Sequence, residues 1–160
     1  VTVTSNHAEA RTAPKVNPYN SENDWGLMIQ RQVAQRCEDK GWDVTFIRPG
    51  FNEDTAVVDT VDGTRIAFNH GHHSSSPATV KTWVTGQIVG RRPGWDADIW
   101  VMSHYHHAYH FPVGGGTTVF GTPALDGGSE WVARKKGESY PAGALAFTVD
   151  NGKWSNYTLL

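Results

Sequence analysis

The sequence predicts an α/β or α+β fold, in which short strands are mixed with two helices. Three observations point there. Short runs rich in Val, Ile and Thr recur along the chain, bounded by Gly, Pro, Asn and Asp. Two longer segments carry apolar residues at three- and four-residue intervals, the period of a helix. The 160 residues are 38% hydrophobic and include 7 Trp, which is enough apolar volume for one core and too short a chain for two ordinary ones. Residues 1–160 are therefore read as one domain.

The elements follow in order. Val1-Thr2-Val3-Thr4 suits an opening strand over residues 1–5. Residues 10–21, with Pro14 and Pro18, read as a loop. A helix comes next, with Ser21 as N-cap and Glu22 and Asp24 in the first turn. Trp25, Met28, Ile29, Gln32, Val33 and Cys37 form its recurrent face, and Gly41 ends it. Residues 43–48 make a short apolar strand. The β-branched runs 55–60 and 64–69 flank Asp62-Gly63, a strong hairpin signal. Ser74 to Pro77 make a turn before a second helix over 78–91, whose apolar positions are Val80, Trp83, Val84 and Ile88. Asp98-Ile99-Trp100-Val101-Met102 reads as a buried strand. Further strands are expected at 117–120, 129–133 and 144–149, and a last one at 153–159 after the turn Asp150-Asn151-Gly152.

Composition narrows the function. A formal charge of -2, from 14 basic and 16 acidic residues, removes a broadly basic nucleic-acid surface. Arg91-Arg92 and Arg134-Lys135-Lys136 remain as local candidates for phosphate contact, but short runs of this kind usually belong to solvated faces. No apolar run is long enough to span a membrane. A single cysteine, Cys37, excludes an intrachain disulfide and a cysteine-rich zinc site. Residues 1–15 lack the apolar stretch of a signal peptide, so a cytoplasmic location is expected.

Histidine is the anomaly: 7 of the 8 lie between His70 and His110. Three polar clusters occupy one context, the point where a short apolar strand ends and a loop begins. They are Ser5-Asn6-His7, Asn69-His70-Gly71-His72 and Ser103-His104-Tyr105-His106. Ligands of open sheets collect outside the carboxyl ends of the strands. Imidazole suits zinc, manganese, iron or nickel, and an amide oxygen can complete such a site. His104 and His106 would share a face on a strand, and in a loop each could reach a different metal. His72, His73, His107 and His110 read equally as solvated loop residues or as packing partners for the aromatic residues.

These motifs resemble the calcineurin-like metallophosphoesterases. Val3-Thr4-Ser5-Asn6-His7-Ala8-Glu9 resembles their Gly-Asn-His-Asp/Glu signature. Phe68-Asn69-His70-Gly71-His72 matches their strand-terminal His-Gly, and Ser103-His104-Tyr105-His106 their Gly-His-x-His. The stretch from Pro123 to Trp131, then Ala144 to Phe147, looks like the last strands of phage-encoded members related to the SbcD-type repair nuclease. The resemblance covers nearly the whole chain. Ser5 and Ser103 stand in place of family glycines. Two further family signatures, Asp-x-His and Gly-Asp-x-x-Asp, are absent from residues 1–160, so the chain looks like the C-terminal half of the catalytic domain.

The resemblance implies part of a four-layer sandwich of mixed β-sheets flanked by helices. It also implies a phosphodiesterase or nuclease in which two divalent ions (Mn, Zn or Fe), about 3.5–4 Å apart, activate a water. Asn6, His70 and His104 would hold one ion and His106 would ligate the other. His7 would protonate the leaving group, Glu9 would orient His7, and Arg11 would contact phosphate. An upstream half, or a partner chain, would supply the carboxylates and cover the Val1 edge strand, and the isolated chain would be inactive or nearly so. Trp95 and Trp100 are candidates for base stacking, Trp100 more naturally for the core. Two other readings compete: a non-catalytic partner-binding subunit or remnant of that fold, and a mononuclear His-rich zinc-binding module.

Overall fold

The computed structural model describes residues 1–10, 23–126, 128, 130–137 and 139–160, with the side chains at 131, 132 and 136 set aside. It is a mixed α/β structure. The elements in order are α1 (Trp25–Asp39), β1 (Ala56–Asp59), β2 (Arg65–Asn69), α2 (Pro77–Val89), β3 (Ile99–Met102), β4 (Tyr109–Gly114), β5 (Thr117–Gly121), α3 (Glu130–Lys136), β6 (Leu145–Asp150) and β7 (Lys153–Leu159). The first five strands form a mixed sheet in the order β1-β2-β3-β5-β4, and β6 pairs with β7 in a separate antiparallel hairpin.

Strand alternation explains the layering. Ala67, Trp100, Met102 and Val119 point to one face of the sheet and pack with Val80 and Val84 of α2. Ile66, Ile99 and Phe120 point to the other face and pack with Leu145, Phe147, Val149, Trp154 and Tyr157 of the β6–β7 hairpin. The central strands are thus buried on both faces, as parallel neighbours require. β2 and β3 run parallel, with Asn69 opposite Met102, so both end at the same edge of the sheet. Trp100 is completely buried, which settles its role as core. Gly94, at φ +86, makes room for it: a Cβ there would come 2.7 Å from the Ala67 Cβ and 2.9 Å from a Trp100 ring carbon.

Turn chemistry joins the layers. Asp62, at the tip of the β1–β2 hairpin, accepts from the Thr60 hydroxyl and from the Thr64 hydroxyl at 3.0 Å. It also accepts from the Asn151 backbone N–H at 2.9 Å, which pins the β6–β7 turn to the first hairpin. These bonds hold its carboxyl down at about 2.

Four expectations need correction. Residues 1–5 and 43–48 are not strands: they run beside each other through the Thr2 N–H to Ile47 carbonyl bond of 3.0 Å, without a ladder. There is accordingly no Val1 edge strand, although Val1 itself is 56% exposed. Residues 130–133 of the segment expected as a strand at 129–133 fall in α3, where Glu130 and Arg134 pair at 3.4 Å across one helical turn. β4 was not expected, because Tyr109-His110-Phe111-Pro112 lacks a clean alternation and carries a proline. As an edge strand it tolerates that proline.

The fourth correction concerns α1. Its N-cap is Asp24, whose carboxylate accepts from the Leu27 N–H at 3.0 Å, whereas Ser21 and the expected 10–21 loop from residue 11 onward lie outside the described residues. The face expected to be buried is largely open. Trp25, Ile29 and Val33 are exposed, while Leu27, Gln30 and Cys37 are buried. Spacing alone could not tell which side of the helix meets protein. Among the described residues no helix is long and apolar enough to cross a membrane.

Two measurements check this packing. Gly94→Ala forces a β-carbon into the core at a left-handed φ and should cost about 2 kcal/mol or more of unfolding free energy in urea. The stabilisation from Asp62 is present above the ordinary carboxylate value of 3.8 and lost as pH falls towards 2, because the folded state holds its proton more weakly. Acid unfolding should therefore be less steep in Asp62→Asn over that window, and parallel curves would contradict the assignment.

Candidate functional site

The site lies where β2 and β3 end. Asn69, the last residue of β2, is 2% exposed. Its side-chain amide donates to the Asp54 carbonyl at 3.2 Å and to the Thr55 hydroxyl at 3.1 Å. Its oxygen accepts from the Gly71 N–H at 2.7 Å, which curls the chain and turns out His70 and His72. Gly71 has φ +98, and a Cβ there would lie 3.5 Å from the Ser103 carbonyl and 3.6 Å from the His104 Cβ. That close approach lets the Ser103 N–H donate to the His70 carbonyl at 3.1 Å, so the two loops are stitched together.

The loop after β3 is held from a second point. The Tyr105 hydroxyl donates to the Ser74 carbonyl at 2.7 Å. His104 and His106, on either side of Tyr105, adopt left-handed backbone at φ 66 and 59. A non-glycine residue there costs on the order of 1 kcal/mol, and the anchors at Ser103 and Tyr105 hold both in place. His104 and His106 thus sit in a loop, the case in which each can face its own ligand.

The third cluster arrives through the helix cap. While one Asp24 oxygen caps α1, the other accepts from the Ser5 N–H at 3.0 Å. The Trp25 N–H donates to the Ala8 carbonyl at 2.8 Å. The Ser5–Ala8 turn is therefore fastened to the start of α1, which presents Asn6 and His7.

The clusters meet. His70 Nε2–H donates to Asn6 Oδ1 at 3.0 Å. The His70 ring centroid is 5.1 Å from that of His104 and 5.4 Å from that of His72. Burial drives the His70 imidazole down to about 3, with His104, His72, His7 and His106 adding to the effect in that order. His7 and His106 therefore share its electrostatic neighbourhood. Burial likewise lowers His72 to about 4, and both imidazoles are neutral at pH 7.

Three residues gain importance that spacing did not assign. His72 is nearly enclosed, with its Nε2 3.8 Å from Glu9 Oε1. Glu9, expected beside His7, therefore faces His72. Nδ1 of His72 is buried without a hydrogen-bond partner among the described residues. His73 Nε2 donates to Asp54 Oδ2 at 2.9 Å, and Asp54 Oδ1 accepts from the Thr4 hydroxyl at 2.7 Å. The bond from His73 holds the Asp54 carboxyl below its usual range. Asp54 lies 15 residues before Asn69 in an ordinary loop, and no local pattern marks it.

Among the described residues, other candidates fall outside the cluster. Arg11 lies outside the described residues. Arg92 forms a bidentate pair with Glu53 at 2.9 and 3.1 Å, and Arg91 lies 5.1 Å over the Trp95 ring. His110 packs among Phe120, Trp154 and Tyr157, on the hairpin side of the sheet.

The donors fit a divalent ion in part. Two donors on one ion, each about 2.1 Å from it, stand about 3 Å apart when at right angles, which is the Asn6–His70 separation. Moving the His70 proton to Nδ1 would free its Nε2 lone pair. Asn6, His70 and His104 are all neutral donors, however. Among the described residues no three His, Cys, Asp or Glu side chains form a ready metal cage.

No protein-family profile matches the sequence, and no curated protein matches it. Solved structures share part of the chain trace. Vps29 from Entamoeba histolytica, crystallised with Zn2+, has a TM-score of 0.46 and 13% identity, covering 70% of this chain and 53% of that one. This chain thus spans about half the length of that protein. The solution structure of Thermotoga maritima protein TM1076 has a TM-score of 0.45 and 15% identity, over 81% of this chain and 72% of that one. Vacuolar protein sorting 29 from Cryptosporidium parvum has a TM-score of 0.41 and 14% identity, over 82% and 75%. Likeness of this degree assigns neither a site nor an activity.

The double role of Asp24 is open to a direct check. Asp24→Ala should lower unfolding free energy by about 1 kcal/mol, the ordinary value of an N-cap, and should raise amide exchange at Ser5. Asp24→Ser keeps a cap for α1 but provides one oxygen instead of two. It should restore most of the stability and leave Ser5 unprotected.

Proposed function

We propose that this chain is the C-terminal part of a metal-dependent phosphoesterase domain that acts on phosphodiesters, nucleic acid among them. The observation that carries this reading is the 3.0 Å approach of Asn6 Oδ1 to His70 Nε2, with His104 beside them. These residues come from three separate sequence clusters whose order resembles the metallophosphoesterase signatures.

In this reading Asn6, His70 and His104 hold one divalent ion (Mn, Zn or Fe) and His106 contributes to a second. Bound there, such ions would polarise the phosphate and lower the pKa of water. The remaining roles belong to the chain. His7, exposed on its turn, delivers a proton to the leaving oxygen. Glu9 and His72 brace the wall behind His70. Asp54 fixes His73 at the floor. Arg11 contacts phosphate. Neutral imidazoles bind cations without competing protons, but they leave the positive charge uncompensated. In this reading the bridging carboxylates are supplied by a segment outside residues 1–160 or by a partner, with Glu9 and Asp54 only at the margin.

A second reading, a non-catalytic partner-binding subunit, is favoured by the open apolar face of α1 at Trp25, Ile29 and Val33. Manganese-dependent hydrolysis of a chromogenic phosphodiester separates the two. The 160-residue chain alone should show little or no turnover. Addition of a polypeptide carrying the carboxylate motifs should raise it, and His7→Asn should then cost about 100-fold or more. Full His7-dependent activity in the chain alone would contradict the half-site. Failure of every carboxylate-bearing partner would favour the binding subunit.

A further inference from the structure

Residues 1–10 carry Asn6 and His7, yet the hydrophobic clusters do not fix where they stand. Every residue of the two clusters comes from position 66 onward. Among the described residues, backbone bonds tie residues 1–10 to Ile47 and to the start of α1, not to the five-stranded sheet. The contacts that reach the sheet and its loops are polar. Asn6 meets His70, Glu9 faces His72, and the Thr4 hydroxyl donates to Asp54. The site therefore lies on a seam, and the 3.0 Å approach of Asn6 to His70 depends on what holds that seam closed.

Asp54 sits where it can do so. It comes two residues before β1 and belongs to the sheet side. Its neighbour Glu53 is clamped by Arg92 at 2.9 and 3.1 Å, and Thr55 on its other side is buried. Asp54 grips the His70 loop at both ends. Its carbonyl accepts from the Asn69 side-chain amide at 3.2 Å, and its Oδ2 accepts from His73 Nε2–H at 2.9 Å. His73 in turn stacks on Trp83 of α2, 15° from parallel and 6.1 Å between centroids. Trp83 meets the fully buried Trp100 edge-on at 5.8 Å. On the far side, Asp54 Oδ1 accepts from the hydroxyl of the buried Thr4 at 2.7 Å. Thr4 leads directly into the Ser5–Ala8 turn, which the Ala8 N–H closes on the Ser5 carbonyl at 3.0 Å. A continuous line of contacts thus runs from the core through Trp83, His73, Asp54 and Thr4 to the turn that presents Asn6. Both carboxylate bonds are charge-assisted, because the bond from His73 keeps the Asp54 carboxyl below its usual range and so ionised at neutral pH.

We propose that Asp54 is a positioning residue for the donor pair: by bridging Thr4 to His73 it holds Asn6 Oδ1 against His70 Nε2 and sets the spacing that an ion would meet. With one oxygen on Thr4 and the other on His73, it acts through its neighbours. The inference deepens the metal-site reading and rests on it for the ion alone, since the spacing is a property of the chain.

The test reads the spacing first, without metal, as the NOE between the Asn6 and His70 side chains of the 160-residue chain in EDTA. Thr4→Val keeps the shape of the side chain and removes its hydroxyl. Asp54→Ala removes both oxygens and keeps the carbonyl that holds Asn69. Each should abolish the NOE while amide exchange within β2 and β3 stays as slow as in the unaltered chain. Asp54→Asn should retain the NOE: its Oδ1 still accepts from Thr4, and its Nδ2–H can donate to His73 Nε2 once the imidazole proton moves to Nδ1. Titration with Mn2+ then reads the consequence. Contacts that orient metal ligands commonly change affinity by tenfold or more, so Thr4→Val and Asp54→Ala should each weaken binding about tenfold, and Asp54→Asn should stay within about threefold. An NOE that survives both Thr4→Val and Asp54→Ala would overturn the proposal. So would an Asp54→Asn as damaging as Asp54→Ala, which would make charge and not placement the cause. Loss of β2–β3 protection along with the NOE in both variants would reduce Asp54 to a general support of the fold and overturn it too. The two readouts keep the claims apart. The expected NOE pattern without Mn2+ binding in any form leaves the positioning role standing and removes the metal site, while Mn2+ binding indifferent to Thr4 and Asp54 does the reverse.

Discussion

The parallel pairing of β2 and β3 governs the geometry of the site. Because Asn69 and Met102 are paired, the chain leaves both strands at one edge and at one height. The next residues of each loop are then close enough for the Ser103 N–H to reach the His70 carbonyl. Asn69 completes the join from below, with its side chain shared among Asp54, Thr55 and Gly71. The pairing itself is secured by burial on both faces, through α2 on one and the β6–β7 hairpin on the other. A buried parallel pair has little freedom to slip, since a shift of one residue would exchange its two hydrophobic faces.

The electrostatics follow from the same packing. Crowding four or five imidazoles at the end of a buried sheet removes water from them and places like charges together. Both effects disfavour the protonated form of His70 and His72, so these two imidazoles are neutral and keep a lone pair each. Carboxylates stand at its margin: Glu9 by His72, and Asp54 by His73. The arrangement is suited to receive positive charge. An ion bound by three neutral donors retains its full charge, which attracts a phosphate and also leaves the ion weakly held.

Much of this was legible in the sequence, for identifiable reasons. The Asp62-Gly63 hairpin, the Ile99–Met102 strand and α2 follow from signals contained within a few residues. The approach of His70 to His104 was legible because both follow strand ends, β2 and β3, whereas Asn6 reaches them from a segment that is no strand, through the Asp24 cap. Other features depend on contacts between distant segments. Residues 1–5 have strand-like composition, but among the described residues their one backbone–backbone bond to a distant segment is that of the Thr2 N–H to Ile47. The helical period of α1 was plain, yet which face is buried is set by what packs on it. Asp54 and His73 form their pair across 19 residues, and nothing in either neighbourhood announces it. The turn that presents Asn6 depends on Asp24 serving two segments at once, a role invisible from its place near a helix start.

The central claim is that three neutral side chains from three clusters form one incomplete metal site. Metal stoichiometry tests it most directly, by equilibrium dialysis of the purified chain against Mn2+ followed by elemental analysis. The account predicts at most one ion per chain, weakly held and lost in both Asn6→Ala and His70→Ala. Two tightly held ions per chain, or one ion unaffected by His70→Ala, would contradict it.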